Sequence, residues 1–434
     1  MNAEETKRLI RSEKAAELFG KLYGKEQIAS QLERYDHVTD GLTETYGKNH
    51  SGRDILLFSS PGRTEISGNH TDHNHGKVIG GSINLDCIAA AAKNESDEVN
   101  ILSESFHQKF TIDLNSLEPS SKKAGTEDLV RGILKGFKEN GYEVGGFDAF
   151  VTSNVISSAG VSSSASFEML LCQILNTLFN DNRVDTVAYA QIGKFAENVY
   201  WDKASGLLDQ MCCAVGGLIT IDFLRPEEPD VKKIDFDFAS AGHSLIIVQT
   251  GKGHADLTED YSSIPKEMRS VAKFFGKEFL AEVKEQDVLD HLNEIRKITG
   301  DRAVMRSLHF FEENKRVDAE VEALKKGDFG TFLKNITASG NSSWKYLQNC
   351  YTTLDFNEQG ITVTLALTEL FLAEKQCGAC RVHGGGFAGV IMAMIPNELV
   401  DEYISYIDRY TGKGNAYRMF IRPLGAICVN TEID

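Results

Sequence analysis

Apolar positions recur in two rhythms along this chain. In "FDAFVTSNV" they fall at Phe147, Ala149 and Val151, with Val155 in phase, and this period of two predicts a strand. The small-residue stretch "ISSAGVSSSAS" follows. Beyond it Phe167, Leu170, Leu171, Ile174, Leu175, Leu178 and Phe179 line one face of a helix that Asn180-Asp181 ends. "ILLFSSPGR" is predicted to be a short strand that Pro61-Gly62 turns into a loop. "SLIIVQTG" and "VIMAMI" read as strands, and residues 1 to about 35 as charged helix. "EMRSVAKFFGKEFLAEV" and "RVDAEVEALKKGD" read as amphipathic helices. In the second, Val317, Val321 and Leu324 share a face and Gly327 is the stop. "RPEEPDVKK" holds Pro226 and Pro229, two of only seven prolines, so it is the expected boundary between halves at 1–228 and 229–434. Strands and helices alternate irregularly in both, which predicts an α+β fold.

Composition narrows the function classes. A chain of 434 residues, 41% hydrophobic and 25% charged, has room for two globular domains. A net charge of -17 argues against nucleic acid or an anionic membrane surface as the main partner. The eight scattered cysteines suit reduced thiols in a cytoplasm better than a disulfide framework. The charged start "MNAEETKRLIRSEKAAELF" has no apolar core of signal-peptide type, and no run reaches the roughly 18 apolar residues of a membrane span. Cytoplasmic is the expectation.

Three glycine- and serine-rich stretches carry candidate chemistry. In "SSAGVSSSAS" the small residues let backbone approach phosphate oxygens, and the first amides of the next helix face outward at its positive end. A flexible loop with serine N-caps is the alternative, and the ending of a Walker A loop is absent. "ACRVHGGGFAG" places Gly384, Gly385 and Gly386 together, as where a backbone must come close to something. "PGRTEISGNHTDHNHG" gathers Arg63, His70, Asp72, His73 and His75. With Cys377, Cys380 and His383 these histidines could be drawn as zinc ligands. A structural zinc site wants two compact pairs, however, and there is one CxxC.

In this order and spacing the stretches resemble the signatures of the GHMP small-molecule kinases, and among them the galactokinases. "PGRTEISGNHTDHNHGKV" is similar to the family's PGR…GEHTDYN…G pattern, "ISSAGVSSSA" to its P…GxGLSSSA loop, and "ACRVHGGGFAG" to its AxR…GGGFGG pattern. "AENVYWDKASGLLDQM" resembles the AEN…GxxDQ segment, and the likeness runs from about Ser60 to near the C-terminus. It implies a two-domain GHMP kinase fold: a ribosomal S5 domain 2-like N-terminal domain with the first two signatures, and a ferredoxin-like C-terminal domain with the third. It also implies an ATP-dependent sugar 1-kinase, monomeric or weakly dimeric, with a cleft between the domains.

The resemblance assigns roles position by position. Asp209 matches the aspartate beside the sugar 1-hydroxyl, and Arg63 the arginine next to the phosphoryl group. Glu197 and Ser164, or one of the two serines before it, match the Mg²⁺ site; a carboxylate and a hydroxyl suffice because Mg²⁺ keeps several waters. Gly160, Val161, Ser162, Ser163, Ser164 and Ala165 would hold the ATP phosphates. His70, Asp72 and Tyr261 match sugar ligands, and Gly385 and Gly386 would line the back of the pocket. Asn69 stands where the family has a glutamate that meets the sugar 6-hydroxyl, and Glu65 where it has an asparagine. His73 replaces a tyrosine, His383 a small polar residue, and Ile156 and Ser158 a proline and a glycine. Galactose is therefore one expected substrate and a C6- or C2-modified sugar such as galacturonate another. A non-catalytic sugar and ATP sensor is the remaining alternative.

Overall fold

The structure, a computed structural model, describes residues 1–47, 53–105, 107–120, 125–156, 160–201, 205–251 and 257–433. Ser157, Ser158 and Ala159 of the second signature, Asp202, Lys203 and Ala204, and residues 252–256 lie outside the described residues.

Two sheets organise it. The strands in chain order are β1 (Leu56–Ser67), β2 (Lys77–Lys93), β3 (Glu98–Ser103), β4 (Gln108–Asp113), β5 (Phe147–Ser153), β6 (Leu218–Asp222), β7 (Asp230–Ile234), β8 (His243–Gln249), β9 (Ala379–His383), β10 (Val390–Pro396), β11 (Ala416–Met419) and β12 (Ile427–Cys428). The larger sheet runs β12-β1-β2-β5-β3-β4, with β6 paired to the early half of β2 and β7 to β6; the smaller runs β11-β8-β10-β9. Only β3 and β5 pair in parallel in the larger sheet, and the smaller sheet is antiparallel throughout. This is a mixed α+β architecture.

The alanine run in β2 explains how the larger sheet is covered on both faces. Ala89 and Ala91 point into a core under the helices Thr126–Glu139 and Ser163–Phe179, while Ile88, Ala90 and Ala92 point into a core under the N-terminal helices. Small side chains let a layer of helix lie close on each side, with Phe19, Val38 and Leu42 on one and Ile133, Leu170 and Ile174 on the other. Each fully buried side chain of this size contributes roughly 1.5–3 kcal/mol.

Most elements follow the hydrophobic rhythm. β5, β8, β10 and the helix Ser163–Phe179 stand where the pattern puts them, and the helix read over 316–328 is the end of a longer one, Asp301–Lys325. β1 differs, because it runs straight through Pro61-Gly62 to Ser67. A register shift between Pro61 and Arg63 absorbs the proline, which cannot donate to a regular ladder. The stretch expected as helix over 267–283 is also cut. The helix Thr258–Phe274 ends just before Gly276, whose φ of 68° is left-handed. All eight cysteines are free thiols, and among the described residues no helix is long and apolar enough to cross a membrane.

Candidate active site

Strand β1 carries Arg63, and the second signature lies directly on that strand. The Arg63 amide donates to the Val161 carbonyl at 3.0 Å, and a Cβ on Gly62 would stand 2.8 Å from that same oxygen. Only glycine lets the loop come so near. Asp209 enters from the first turn of the helix Leu208–Val215. Arg63 grips it with a planar fork: Nε donates to Oδ1 at 2.7 Å and Nη2 to Oδ2 at 2.9 Å. The third guanidinium nitrogen donates to the Gly160 carbonyl, and the Ser162 hydroxyl donates to Asp209 Oδ2. Burial works against the Arg63 charge, but Asp209 outweighs it and holds the guanidinium pKa above its ordinary value.

The three serines of the loop diverge. Ser162, at a left-handed φ of 56°, is the N-cap position of Ser163–Phe179 and turns to Asp209. Ser164, in the first turn of that helix, donates to Glu197 Oε1 at 3.0 Å. Glu197 is buried in the π turn Ala196–Tyr200, and Gln210 donates to its other oxygen at 3.2 Å and to Glu168 at 3.0 Å. A hydroxyl and a carboxylate thus meet beside the loop, a hard-oxygen pair that fits Mg²⁺. Glu168 and Gln210 carry no role from sequence; Gln210 stands inside the quoted "LLDQ", which is the available signal.

The triple glycine anchors two aromatic side chains. His70 Nε2 donates to the Gly385 carbonyl at 2.8 Å, and the Tyr261 hydroxyl donates to the Gly386 carbonyl at 2.8 Å. A Cβ at Gly385 would meet the Tyr261 ring at 2.2 Å, and one at Gly386 the Asn349 carbonyl at 2.1 Å, so both positions need glycine for closeness. With Nε2 donating, the neutral tautomer of His70 keeps Nδ1 as an acceptor. Burial, and then His73, lowers its pKa to about 4, so the ring is neutral at pH 7. Asp72 opens the short turn Asp72–Asn74, accepts from the His73 amide at 2.9 Å, and abuts Gly206, where a Cβ would stand 2.2 Å from Oδ2.

Asn69 is the exception among the sequence-selected residues. It is fully buried, and protein groups take its amide: Nδ2 donates to Glu65 at 2.8 Å and to the Gly384 carbonyl at 2.7 Å, while Oδ1 accepts from Asn349 at 2.7 Å. A carboxamide has two donor hydrogens, and both are used. Glu65, the other exchanged position, is held by Arg381 at 2.8 Å. Acid and amide have traded places in sequence and bond to each other in space. His383 closes this region, its Nε2 accepting from the Glu65 amide at 3.1 Å. Of the histidines drawn as zinc ligands, His75 stacks on Phe279 at 3.6 Å and His70 turns to the glycines. Among the described residues no three His, Cys, Asp or Glu side chains converge to hold a metal.

Comparison with known proteins bears on the same residues. The galactokinase galactose-binding signature matches residues 43–93, and the GHMP kinase N-terminal domain matches residues 128–217. A galactokinase of Clostridium perfringens is 29% identical, covering 87% of this chain and 93% of its own. One of Lacticaseibacillus casei is 28% identical, covering 88% and 93%. Among solved structures, Lactococcus lactis galactokinase complexed with galactose superposes with a TM-score of 0.76 at 24% identity, covering 91% of this chain and all of that one. Methanococcus jannaschii mevalonate kinase gives a TM-score of 0.59 at 16% identity, covering 85% and 98%. The fold is that of the GHMP kinases.

Proposed function

We propose, from the premise that this chain belongs to the GHMP kinases and carries the galactokinase galactose-binding signature, that it transfers the γ-phosphoryl group of ATP to the anomeric hydroxyl of galactose. The observation that carries this is the Arg63–Asp209 fork beneath the loop at Gly160, with Ser162 on the same carboxylate. Asp209 orients the sugar hydroxyl and takes up its proton. A carboxylate gripped by a guanidinium is a weak base, so it serves best where the proton leaves late, as in a loose phosphoryl-transfer transition state. Arg63 stands beside the developing charge.

Residues Gly160 to Ala165 cradle the nucleotide phosphates with backbone amides at the start of Ser163–Phe179. Glu197 and Ser164 hold Mg²⁺, which supplies charge neutralisation on those phosphates when bound. Asp72 accepts from sugar hydroxyls, and neutral His70 accepts from another through Nδ1. Gly385 and Gly386 work through their carbonyls by fixing His70 and Tyr261, whose ring walls the sugar. Asn69 acts from behind this wall.

The test is an ADP-release assay over a panel of hexoses and uronates with wild type and Asp209→Asn. Galactose turnover that survives the substitution overturns the role given to Asp209. Sugar and ATP binding with no turnover of any sugar by the wild type would instead favour a sensor.

A further inference from the structure

Beside Asp72 the protein opens a cleft of about 430 Å³, most of whose walls have no part in the proposed reaction. Asp72 forms one wall. The others are Lys194, from the last turn of the helix Thr186–Phe195, Arg269, from Thr258–Phe274, and the stacked pair His75 and Phe279.

Two cations line it beside one carboxylate, Asp72. In a chain of net charge -17, Lys194 and Arg269 both face this cleft, and among the described residues neither has a carboxylate partner. Arg269 spends one nitrogen on the His73 carbonyl at 3.2 Å and lies over the Phe279 ring at 5.0 Å, while its buried Nε donates to nothing among those residues. The other charged groups nearby are Glu227 and Glu282, both exposed and near enough to act on His75 through space. Burial, ahead of these charges, lowers the His75 pKa, so the ring is neutral at pH 7 and serves as an aromatic wall. Asp72, the remaining carboxylate, is committed to sugar hydroxyls in the reading above.

We infer that this cleft is a subsite for an anionic substituent, a carboxylate or a phosphate, carried by the sugar beyond the hydroxyls that Asp72 holds. The inference rests on the sugar-kinase reading for the placement of the ring at Asp72. Lys194 supplies a point charge, and Arg269 a guanidinium already oriented by Phe279 and His73. The enzyme then serves galactose and, with additional affinity, an acidic relative of it.

The experiment measures binding by calorimetry and turnover by ADP release, with galactose, galacturonate, galactose 6-phosphate and inorganic phosphate as probes. Wild type is compared with Lys194→Gln and Arg269→Gln, and thermal melts check that each variant is folded. The expected result is that at least one acidic sugar loses about ten-fold in affinity in Lys194→Gln while galactose binding and turnover change less than about two-fold. Carboxylate and phosphate are told apart by which sugar shows the loss. Three results overturn the inference: neither acidic sugar binds; galactose and the acidic sugars weaken together; or inorganic phosphate binds as tightly as either and does so equally with galactose present. Failure of the galactokinase reading looks different, since wild type would not turn over galactose while calorimetry still reported on the cleft.

Discussion

Two arginine–carboxylate clusters flank the same β1–β2 hairpin, and they differ in their exposure to solvent. Asp86 of β2 stands opposite Pro61, two residues from Arg63. Its carboxylate accepts from Arg34 at 2.9 Å, Arg422 at 3.2 Å, and the hydroxyls of Ser59 and Tyr23. Burial pushes its pKa up, but Arg34 and Arg422 outweigh that and hold it below the usual carboxylate range. The Arg63–Asp209 pair is also an arginine–carboxylate contact, there a two-bond fork, yet the Asp209 side chain is 30% exposed whereas Asp86 and Arg422 are sealed at 0%. The sealed cluster ties the N-terminal helices, the hairpin and the C-terminal Arg422 together. The open one can meet a ligand.

The comparison can be broken by exchanging effects on rate and stability. Asp209→Asn is expected to cut turnover by about 10³-fold or more, with urea unfolding moved by less than in Asp86→Asn. Asp86→Asn is expected to do the reverse. It leaves the buried Arg422, and the partly exposed Arg34 beside it, without their counter-charge and costs roughly 3–5 kcal/mol in a urea melt, while the KM of the folded fraction holds. If Asp86→Asn proves mainly kinetic, the division between the two clusters fails.

Smaller effects sharpen the open side. Ser164→Ala is expected to raise the Mg²⁺ concentration for half-maximal rate several-fold, and Ser162→Ala to lower kcat instead, because one hydroxyl is bonded to Glu197 and the other to Asp209. Titrations of rate against Mg²⁺ for both variants check this; identical profiles would merge the two roles.

His70 sets a pH limit. Its pKa in the folded protein, about 4, lies below the unfolded value near 6.5, so the unfolded chain takes up the proton first. Its influence on stability is absent above pH 6.5 and grows unfavourable as pH falls toward 4, by roughly 3 kcal/mol at most. Galactose KM should stay flat from pH 8 to about 5.5. A KM that rises through pH 6.5 in wild type but not in His70→Gln would show that the imidazole ionises there.

Much of this site is legible in the order of residues alone. The loops announce themselves by glycine and serine content, and the fold brings Arg63 to Asp209 and Ser164 to Glu197. Asn69 is harder to read, because the sequence shows which residue is exchanged but not which way its amide points. Glu65, Arg381 and His309 close around it from 4, 312 and 240 residues away, and only the folded chain brings them there. Pro61 misleads for a related reason. A local rule ends a strand at Pro-Gly, but long-range pairing with β2 carries β1 past it through a bulge. The Asp86 cluster gives no signal at all, since its members are scattered from Tyr23 to Arg422.

What the sequence determined by itself was local and periodic: strand and helix rhythm, the glycine loops, the order of the signatures and so the family. Those properties depend on neighbours within a few residues, where covalent geometry and side-chain spacing decide. Tertiary structure decided which carboxylate is open and which is sealed, that Asn69 faces inward, and that Lys194 and Arg269 share a cleft 75 residues apart in the chain. Exposure, pairing and electrostatic field depend on distances through space, and folding alone sets those.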